Sequence, residues 1–445
     1  MIKITGRNIL VLNNHELIKE CFDTGPNASL MNGRAPSFLG KYAVNGYKDI
    51  LLRRNDSTFK KLKGLSWGLM KKHCDQSSLY EECMREEMDC VVEKFRETTG
   101  ENVDPMEILL PSIGVLTAML FTGERIGYSD KGLRSLMDFD ECGDELVQFK
   151  NQSALNMFPW LRHLPGKLGR LFQNLMDCRS KIFQKFIVEM KETYSPKKGR
   201  CFMHGMFDAQ QPGESGSGWL TDDHIHGVVL DLINTSAHTS KGMVSGFLLL
   251  LVNSPEVCRR IQEEIDRVIG HARKPTLEDM ASMPYTHACI IELFRIQTHV
   301  PISAPHYNHG SEVEINGYTI PKNTIIFGNY WASNHDERLW NDPWEFQPQR
   351  FLDETGQLKK DDPKRKQILS FGVGERYCAG HVTAVNRLFM YTTTLLKNFD
   401  ILPPEGAELP SAHPTSLIPG KVLVAPKFQC RFVQRSIDTT NGGSA

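Results

Sequence analysis

The eleven cysteines of this chain, scattered from Cys21 to Cys430, include no Cys-x-x-Cys pair. An odd, unpaired set of this kind is typical of reduced thiols in a cytosol-facing protein, and it argues against a disulfide framework. The formal net charge of −1 also lacks the concentrated basic character of a nucleic-acid-binding face. The composition therefore predicts neither a disulfide scaffold nor a nucleic-acid partner.

Long apolar runs are missing as well. We find no stretch that supplies the roughly 18 apolar residues of a membrane-spanning helix. The start, MIKITGRNILVLNN, has no apolar core long enough for a signal peptide. The sequence alone therefore predicts no membrane span and no secretion signal in the chain as printed.

The fold class follows from the spacing of apolar residues and turn signals. Length alone favours about three domains, but no Gly/Ser-rich or Pro-rich linker divides the 445 residues. We therefore expect one mainly helical domain with small β-sheets (α+β) over residues 1–435, followed by a disordered polar tail, 436–445. Local signals predict a β-hairpin over 2–12 and a long central helix over 221–253.

Two more local signals lie in the C-terminal half of the chain. Asn316-Gly317 lies within an alternating segment and is typical of a hairpin turn. We expect a last long helix to begin just after Cys378 and to end near Lys397.

The stretch FGVGERYCAG, residues 371–380, surrounds one cysteine with glycines and a cation. At a helix N-terminus the pKa of the Cys378 thiol should be lowered, which favours the thiolate. Gly374 permits a tight turn, and Gly380 leaves room for a flat group. Arg376 can pair with a carboxylate. With Phe371, these positions predict a haem site, although a buried structural cysteine is the simpler alternative.

FGVGERYCAG resembles the haem-binding signature of the cytochrome P450 family. Two further stretches agree in order. ELFR supplies Glu292 and Arg295, which resemble the Glu-x-x-Arg pair of that family, and PWEFQPQRF supplies Arg350, which resembles its third member. Residues three apart share one face of a helix, so Glu292 and Arg295 can pair. The resemblance implies that this network braces the loop that holds the thiolate.

Other segments are similar to the microsomal branch, which includes xenobiotic and steroid hydroxylases. They are TDDHI (221–225), GYTIPKNT (317–324) and FPWLRHLPG (158–166). Trp67 and Lys71 resemble the Trp-x-x-x-Arg motif of the family, whose members point at haem propionates. Lysine keeps the charge of arginine there but loses the bidentate fork. His306 resembles another propionate contact, with a histidine on a surface strand as the alternative.

The central helix carries the run Asn234-Thr235-Ser236-Ala237-His238-Thr239-Ser240. In the family an acid followed by threonine is expected here. Thr239 matches the alcohol, whereas His238 replaces the acid. Histidine relays protons near neutral pH, so we expect both residues to take part in catalysis. The alternative for His238 is a polar residue that faces a solvated groove.

The resemblance implies an oxidoreductase, a monooxygenase that binds haem b (iron protoporphyrin IX) through an axial cysteine thiolate. NADPH would supply electrons indirectly through a flavoprotein reductase, and cytochrome b5 is a further implied partner. The basic run KKDDPKRKQ, residues 359–367, is either a docking surface for the reductase or a solvated loop. The implied substrate is an apolar small molecule (xenobiotic, steroid or fatty-acid-like), and the chain is expected to be a monomer.

Two other functions stay open on the sequence alone. A haem-thiolate isomerase or dehydratase would rearrange an oxidised lipid without a reductase. A non-catalytic protein of the same fold would bind haem without consuming NADPH. The residues around His238 leave the first open, whereas Thr239 and the basic run speak against it.

The resemblance also implies a location at the cytosolic face of the endoplasmic reticulum membrane. The microsomal branch begins with a membrane anchor and a proline-rich hinge, and we expect neither in the printed chain, which starts at the first hairpin. The stretch FPWLRHLPGKLGRLF offers Phe158, Trp160 and Leu161 as an apolar tip for a membrane surface. Residues that face the core of a short helix are the alternative interpretation.

Overall fold

The structure is a computed structural model that describes residues 1–4, 6–196 and 199–435, with only the backbone of Phe149. The predicted polar tail, 436–445, lies outside the described residues. In chain order the helices are α1 His15–Lys19, α2 Ala28–Met31, α3 Ser57–Met70, α4 Ser78–Glu97, α5 Pro105–Thr122, α6 Lys131–Val147, α7 Phe149–Met157, α8 Lys167–Phe183, α9 Met190–Glu192, α10 Phe202–Gln210, α11 Asp222–Asn253, α12 Pro255–Val268, α13 Pro284–Gln297, α14 Tyr330–Asn334 and α15 His381–Asn398. The mainly helical fold class is confirmed.

Single turns of tighter or wider helix join several of these elements. The π-helical turns are Glu20–Thr24, Leu39–Ala43, Lys71–Asp75 and Gln184–Glu189. The 3₁₀ turns are Pro159–His163, Leu277–Ser282, Pro348–Phe351, Pro363–Gln367, Gly374–Arg376 and Pro414–Ser416. The π-helical turn Lys71–Asp75 extends α3. The 3₁₀ turn Gly374–Arg376 ends two residues before Cys378.

The strands form small sheets at the edge of the helical body. They are β1 Ile2–Ile4, β2 Arg7–Leu12, β3 His306–Tyr307, β4 Val313–Ile315, β5 Tyr318–Ile320, β6 Ile325–Gly328, β7 Phe399–Leu402 and β8 Arg431–Gln434. One sheet has the order β1-β2-β6-β3, and β4-β5 and β7-β8 form two-stranded sheets. β2 runs parallel to β6, and the other pairs are antiparallel.

Both predicted hairpins are confirmed. β1 pairs with β2 in the register Ile2 to Ile9. Asn316 and Gly317 join β4 to β5 with φ of 46° and 75°. Two consecutive positive φ values define a type I′ turn, which suits the right-handed twist of the paired strands.

The long helix α11 crosses the core. Its N-cap is Thr221, whose side chain accepts a hydrogen bond from the backbone amide of His224. α11 packs against α5, α6 and α15. It therefore brings the run 234–240 next to the helix that follows Cys378, as its 32 residues permit.

α5 corrects one expectation from the sequence. Its 18 residues have a mean hydropathy of 1.5, which is long and apolar enough to cross a membrane, and 67% of that window is buried within the protein. Glu107 and Pro111 interrupt the apolar residues of this segment, so it does not stand out as a continuous apolar run. α5 packs against α4 and α11, as a core helix does.

Candidate active site around Cys378

The loop that carries Cys378 is closed by its own backbone. The amide of Cys378 donates to the carbonyl oxygen of Phe371 at 2.9 Å, and the amide of Tyr377 donates to that of Gly374 at 3.0 Å. α15 begins at His381, with Gly380 as its N-cap. The thiol therefore lies three residues before a long helix, as the sequence predicts.

Two glycines of the loop have different roles. Gly374 has a φ of 64°, and a Cβ there would lie 2.1 Å from the carbonyl oxygen of Phe22. Any other residue would be both strained and blocked at this position. A Cβ at Gly380 would meet no atom within 4 Å. Gly374 thus fixes the loop against the π-helical turn Glu20–Thr24, while Gly380 borders open space.

The ionisation of Cys378 differs from the expectation. Burial raises the pKa of the Cys378 thiol, and the backbone amide of Gly380 and the ammonium of Lys63 only partly oppose this effect. The sequence predicted a lowered pKa, because it revealed the helix start but not the density of protein around the sulfur. A cation bound to the sulfur would favour the thiolate against this effect of burial.

Arg376 ties the cysteine loop to the segment before α3. Its guanidinium donates to the carbonyl oxygens of Asn32 at 3.1 Å, Ile50 at 2.9 Å and Arg53 at 2.7 Å. It also stacks 3.8 Å from the ring centroid of Phe59. In this arrangement Arg376 is held by neutral oxygens and by no carboxylate contact.

Other cations converge on the same place. Arg34 donates to the carbonyl oxygen of Leu51 at 2.9 Å, and Lys63 donates to that of Glu375. The ring of His306 stacks on Phe22 with centroids 3.7 Å apart, and its Nδ1 is buried with no hydrogen-bond partner. Arg34 and Lys63 thus bring two further cations close to the cysteine loop, and His306 adds a buried imidazole.

These cations lower one another's pKa. Burial, and then Arg34, lowers the pKa of Arg376 to about 8. Burial and Arg376 lower the pKa of Lys63 to about 8 as well. The pKa of His306 is well below its ordinary value because of burial and both arginines. The cluster therefore carries more buried positive charge than its surroundings neutralise.

Two nearby carboxyl groups supply only part of the missing negative charge. Asp231 accepts hydrogen bonds from the amides of Ile50 and Leu51, and Asp49 accepts one from Leu52. Burial raises the pKa of Asp49 to about 6 and that of Asp231 well above its ordinary value. Since burial favours their neutral forms, the cation cluster fits a bulky ligand with an anionic edge, as haem has.

The structure replaces Lys71 by Lys63 in this cluster. Lys71 is exposed at the end of α3, whereas Lys63 lies two turns earlier, one turn after Phe59. Phe59-x-x-x-Lys63 is an aromatic and a cation at the spacing that the sequence analysis assigned to Trp67 and Lys71. The ring of Trp67 lies 6.2 Å from that of Tyr377 and 6.1 Å from that of His381. Trp67 therefore stays near the loop, but Lys71 does not.

Glu292 and Arg295 form a fully buried, bidentate pair at 2.7 and 2.8 Å on α13. Arg350 joins them, with its Nε 3.2 Å from the same carboxylate. Arg295 also donates to the carbonyl oxygens of Asn334 at 2.9 Å and Pro343 at 2.7 Å. The Glu292 carboxylate thus pairs with two cations, and Arg295 also holds the two chain segments that contain Asn334 and Pro343.

Asn334 connects this network to the cysteine loop. Its Oδ1 accepts from the amide of Leu369 at 3.1 Å, and its Nδ2 donates to Ser370 Oγ at 3.0 Å. Ser370 immediately precedes Phe371, whose ring packs 4.7 Å from that of Phe294. The arrangement supports the expected role of the network as a brace for the loop.

The run on α11 has two faces. Thr239 Oγ1 donates to the carbonyl oxygen of Thr235 at 2.6 Å, and Thr235 is exposed although it lies in the middle of a mostly buried helix. On the adjoining side of the helix His238 is buried, with Nδ1 2.9 Å from Asp140 Oδ2 and Nε2 3.0 Å from Asp144 Oδ2. The threonines thus border open space, whereas His238 is enclosed by α6.

Known proteins show which family this chain belongs to. The cytochrome P450 family model matches residues 1–431. Cytochrome P450 1A1 of Canis lupus familiaris is 33% identical over 339 residues, which is 75% of this chain and 64% of that protein. Cytochrome P450 2B4 of Oryctolagus cuniculus is 30% identical over 444 residues, 98% of this chain and 86% of that protein. The chain thus spans less than two thirds of the dog protein.

A solved zebra fish cytochrome P450 with progesterone has the same fold, with a TM-score of 0.84 and 22% identity over 97% of this chain and 95% of that one. These matches define a class of proteins that bind haem through a cysteine thiolate. The chain belongs to the cytochrome P450 family. The resemblance drawn from FGVGERYCAG is therefore confirmed.

Replacement of Glu292 by glutamine tests the brace. The variant leaves Arg295 and Arg350 buried without an anion, so the free energy of unfolding should fall by about 3–5 kcal/mol. Denaturant unfolding measures this loss. The matched control is Glu256→Gln, which opens the exposed pair with Arg259 and should change stability little. Equal effects of the two substitutions would show that the buried network is not a brace.

Proposed function

We propose that this chain is a haem-thiolate monooxygenase that inserts one oxygen atom of O2 into an apolar small molecule, such as a xenobiotic, a steroid or a fatty-acid-like compound. The observation that carries the proposal is the surplus of buried cations beside the Cys378 loop. A single haem-binding domain over residues 1–435 is part of the proposal. One buried cluster with members from Phe38 to Phe432 supports it.

Haem b would be held by residues of this chain in three ways. Cys378 Sγ would bind the iron, whose charge would favour the thiolate form. Arg34, Lys63, Arg376 and His306 would hold the propionates through charge and hydrogen bonds. Phe371 and Gly380 would leave room for the macrocycle. When bound, a thiolate-ligated haem supplies the chemistry that favours O–O cleavage.

The hydroxyl of Thr239 is proposed to hold the proton that oxygen chemistry needs. Its acceptor in this structure, the carbonyl oxygen of Thr235, lies one turn earlier on α11. A hydroxyl can exchange that weak intrahelical bond for a bond to a ligand in the adjoining space. His238 is less suited to this role, because both of its ring nitrogens are engaged by carboxylates.

Electrons are proposed to come from NADPH through a flavoprotein reductase, with cytochrome b5 as a second possible donor. A groove of about 1080 Å³ lies between α1, the Gly372–Tyr377 part of the cysteine loop and the basic run 359–367. Arg365 and Lys366 of that run line the groove and are exposed. Asp23, Asp361, Asp362 and Glu375 also line the groove, so the support for docking of an acidic reductase face comes from the exposed Arg365 and Lys366.

Replacement of Thr239 by alanine should uncouple NADPH oxidation from product formation. With a reductase, NADPH and progesterone as the probe steroid, product per NADPH should fall by at least about tenfold and hydrogen peroxide should rise, because the general acid is lost. Thr122→Ala, which removes a hydroxyl bonded to a carbonyl oxygen one turn earlier on α5, is the control.

The same assay separates the competing functions. Unchanged coupling in Thr239→Ala would remove this residue from the mechanism. Turnover of a lipid hydroperoxide with neither reductase nor NADPH would favour the isomerase or dehydratase instead. Haem binding with no NADPH consumption under any condition would favour a non-catalytic protein.

We also propose that the turn between α7 and α8 rests on the cytosolic face of the endoplasmic reticulum membrane. Phe158 and Trp160 are 46% and 56% exposed, whereas Leu161 packs partly against the core and does not belong to the tip. Lys167 and Arg170 follow on α8 and suit anionic headgroups.

Substitution of both tip aromatics by alanine should release the chain from anionic liposomes. Flotation at low salt should show an affinity loss on the order of tenfold per side chain, because each ring buries apolar area in the interface. Trp344→Ala, which truncates another partly exposed tryptophan, is the control. Flotation of the double variant equal to that of the parent chain would contradict the proposal.

A further inference from the structure

Four charged groups from three elements meet beside the run 234–240 of α11. Asp140 and Asp144, one turn apart on α6, each contact one ring nitrogen of His238. Lys421, in the loop 417–424, lies 2.7 Å from Asp144 Oδ1 and 3.7 Å from Asp140 Oδ1. The same ammonium is 3.3 Å from Asn234 Oδ1 on α11. One cluster therefore joins α6, α11 and the loop.

The geometry defines the charge of His238. An ionised carboxylate only accepts hydrogen bonds, so a histidine with a carboxylate oxygen at both nitrogens must carry a proton on each. Two carboxylates then face one imidazolium and one ammonium, and the charges balance. The cluster is therefore a closed ion-pair network, in which Lys421 occupies the place beside Asp144 that a metal ion would need.

Tight packing holds α6 at this distance. A Cβ at Gly143, between the two aspartates in sequence, would lie 3.2 Å from both Asn234 Oδ1 and Lys421 Nζ. The loop that carries Lys421 is itself folded back, with the amide of Ile418 donating to the carbonyl oxygen of Val424 at 2.8 Å. Ile418, at the start of this fold-back, is an exposed apolar residue (49%). The contacts among α6, α11 and the loop 417–424 thus depend on four side chains: Asp140, Asp144, His238 and Lys421.

We propose that His238 is a positioning residue that latches α6 and the loop 417–424 closed over the ligand cavity, and that loss of its proton opens this wall. In this role His238 carries a fixed charge, and it does not relay protons to oxygen. The inference rests on the proposed function only in taking the space beside Thr235 and Thr239 as the ligand cavity.

The direction of the pH dependence follows from the surroundings of the ring. Burial lowers the pKa of His238, but the hydrogen bonds with Asp140 and Asp144 more than offset this, so the pKa lies above its ordinary value. The latch is then complete below the ordinary histidine value and is lost as the pH rises through the higher folded value. The pKa of Asp144 is lowered by His238 and Lys421 despite its burial, so this carboxylate stays charged.

Other charged groups near α11 make their contacts away from His238. Arg387 on α15 contacts Ser236 and Ser240, not His238. Asp231 contacts the segment before α3. The group that titrates within the latch at neutral to alkaline pH is therefore His238.

Hydrogen exchange of the haem-loaded full chain tests the latch. Between pH 6.5 and 8.5, exchange of 131–147 and 417–424, corrected for its chemical pH dependence, should rise by up to about tenfold per pH unit, the limit for one linked proton. Association of 4-phenylimidazole, followed by the Soret band, should accelerate in parallel. In His238→Gln, exchange and azole association should be fast at both pH 6.5 and pH 8.5. In His238→Lys, which keeps the positive charge, both should be slow at both pH values.

His226→Gln removes another buried histidine from α11 and should leave the pH step intact. A pH-independent exchange of α6 in the parent chain, or a pH step retained in His238→Gln, would overturn the latch. Failure of the azole to bind, together with a pH-dependent exchange of α6, would contradict the haem proposal while supporting the latch.

Discussion

The buried pair between Glu292 and Arg295 is the contact on which the position of Cys378 depends. An isolated charge at this depth would cost several kcal/mol, so each partner must be met with fixed geometry. Arg295 reaches the carbonyl oxygen of Asn334, and the side chain of Asn334 reaches the two residues before Phe371. The cysteine loop thus inherits the rigidity of a helix that lies about 80 residues earlier in the chain.

A second constraint is electrostatic. Arg34, Lys63 and Arg376 are brought together around the loop, and burial lowers the pKa of all three. Burial also raises the pKa of the two nearby carboxyl groups, Asp49 and Asp231, so they offset the positive charge only in part. Such a cluster is unfavourable by itself and becomes favourable with a bound dianionic edge. Binding of haem should therefore stabilise both its propionates and the protein around them.

Local patterns in the sequence were sufficient for much of this architecture. The caps of α11, the Asn316-Gly317 turn and the glycines of the cysteine loop depend on neighbours a few residues away. Glu292 and Arg295 share one helical face for the same reason. The sequence was a poorer guide where the rotation of a helix decides which side chain faces the site. Lys63 and Lys71 each follow an aromatic residue by four positions, and only packing against the cysteine loop distinguishes them.

Contacts distant in sequence account for the other differences. His238 meets Asp140 and Asp144 almost a hundred residues away, so no local pattern reveals that both of its nitrogens are occupied. The pKa of Cys378 depends on burial, which cannot be predicted from the neighbouring residues in the sequence. The sequence therefore predicts Cys378 and its loop as the haem site that we propose, but it does not predict the charges that surround them.

The most direct test of the account is the absorption spectrum of the reduced, haem-loaded chain under carbon monoxide. Cysteine ligation predicts a strongly red-shifted Soret band that is lost in Cys378→Ser and kept in Cys258→Ser, the control at a buried thiol outside the loop. A band at the position of histidine-ligated haem, or a shifted band that survives in Cys378→Ser, would contradict the assignment of Cys378 as the axial ligand.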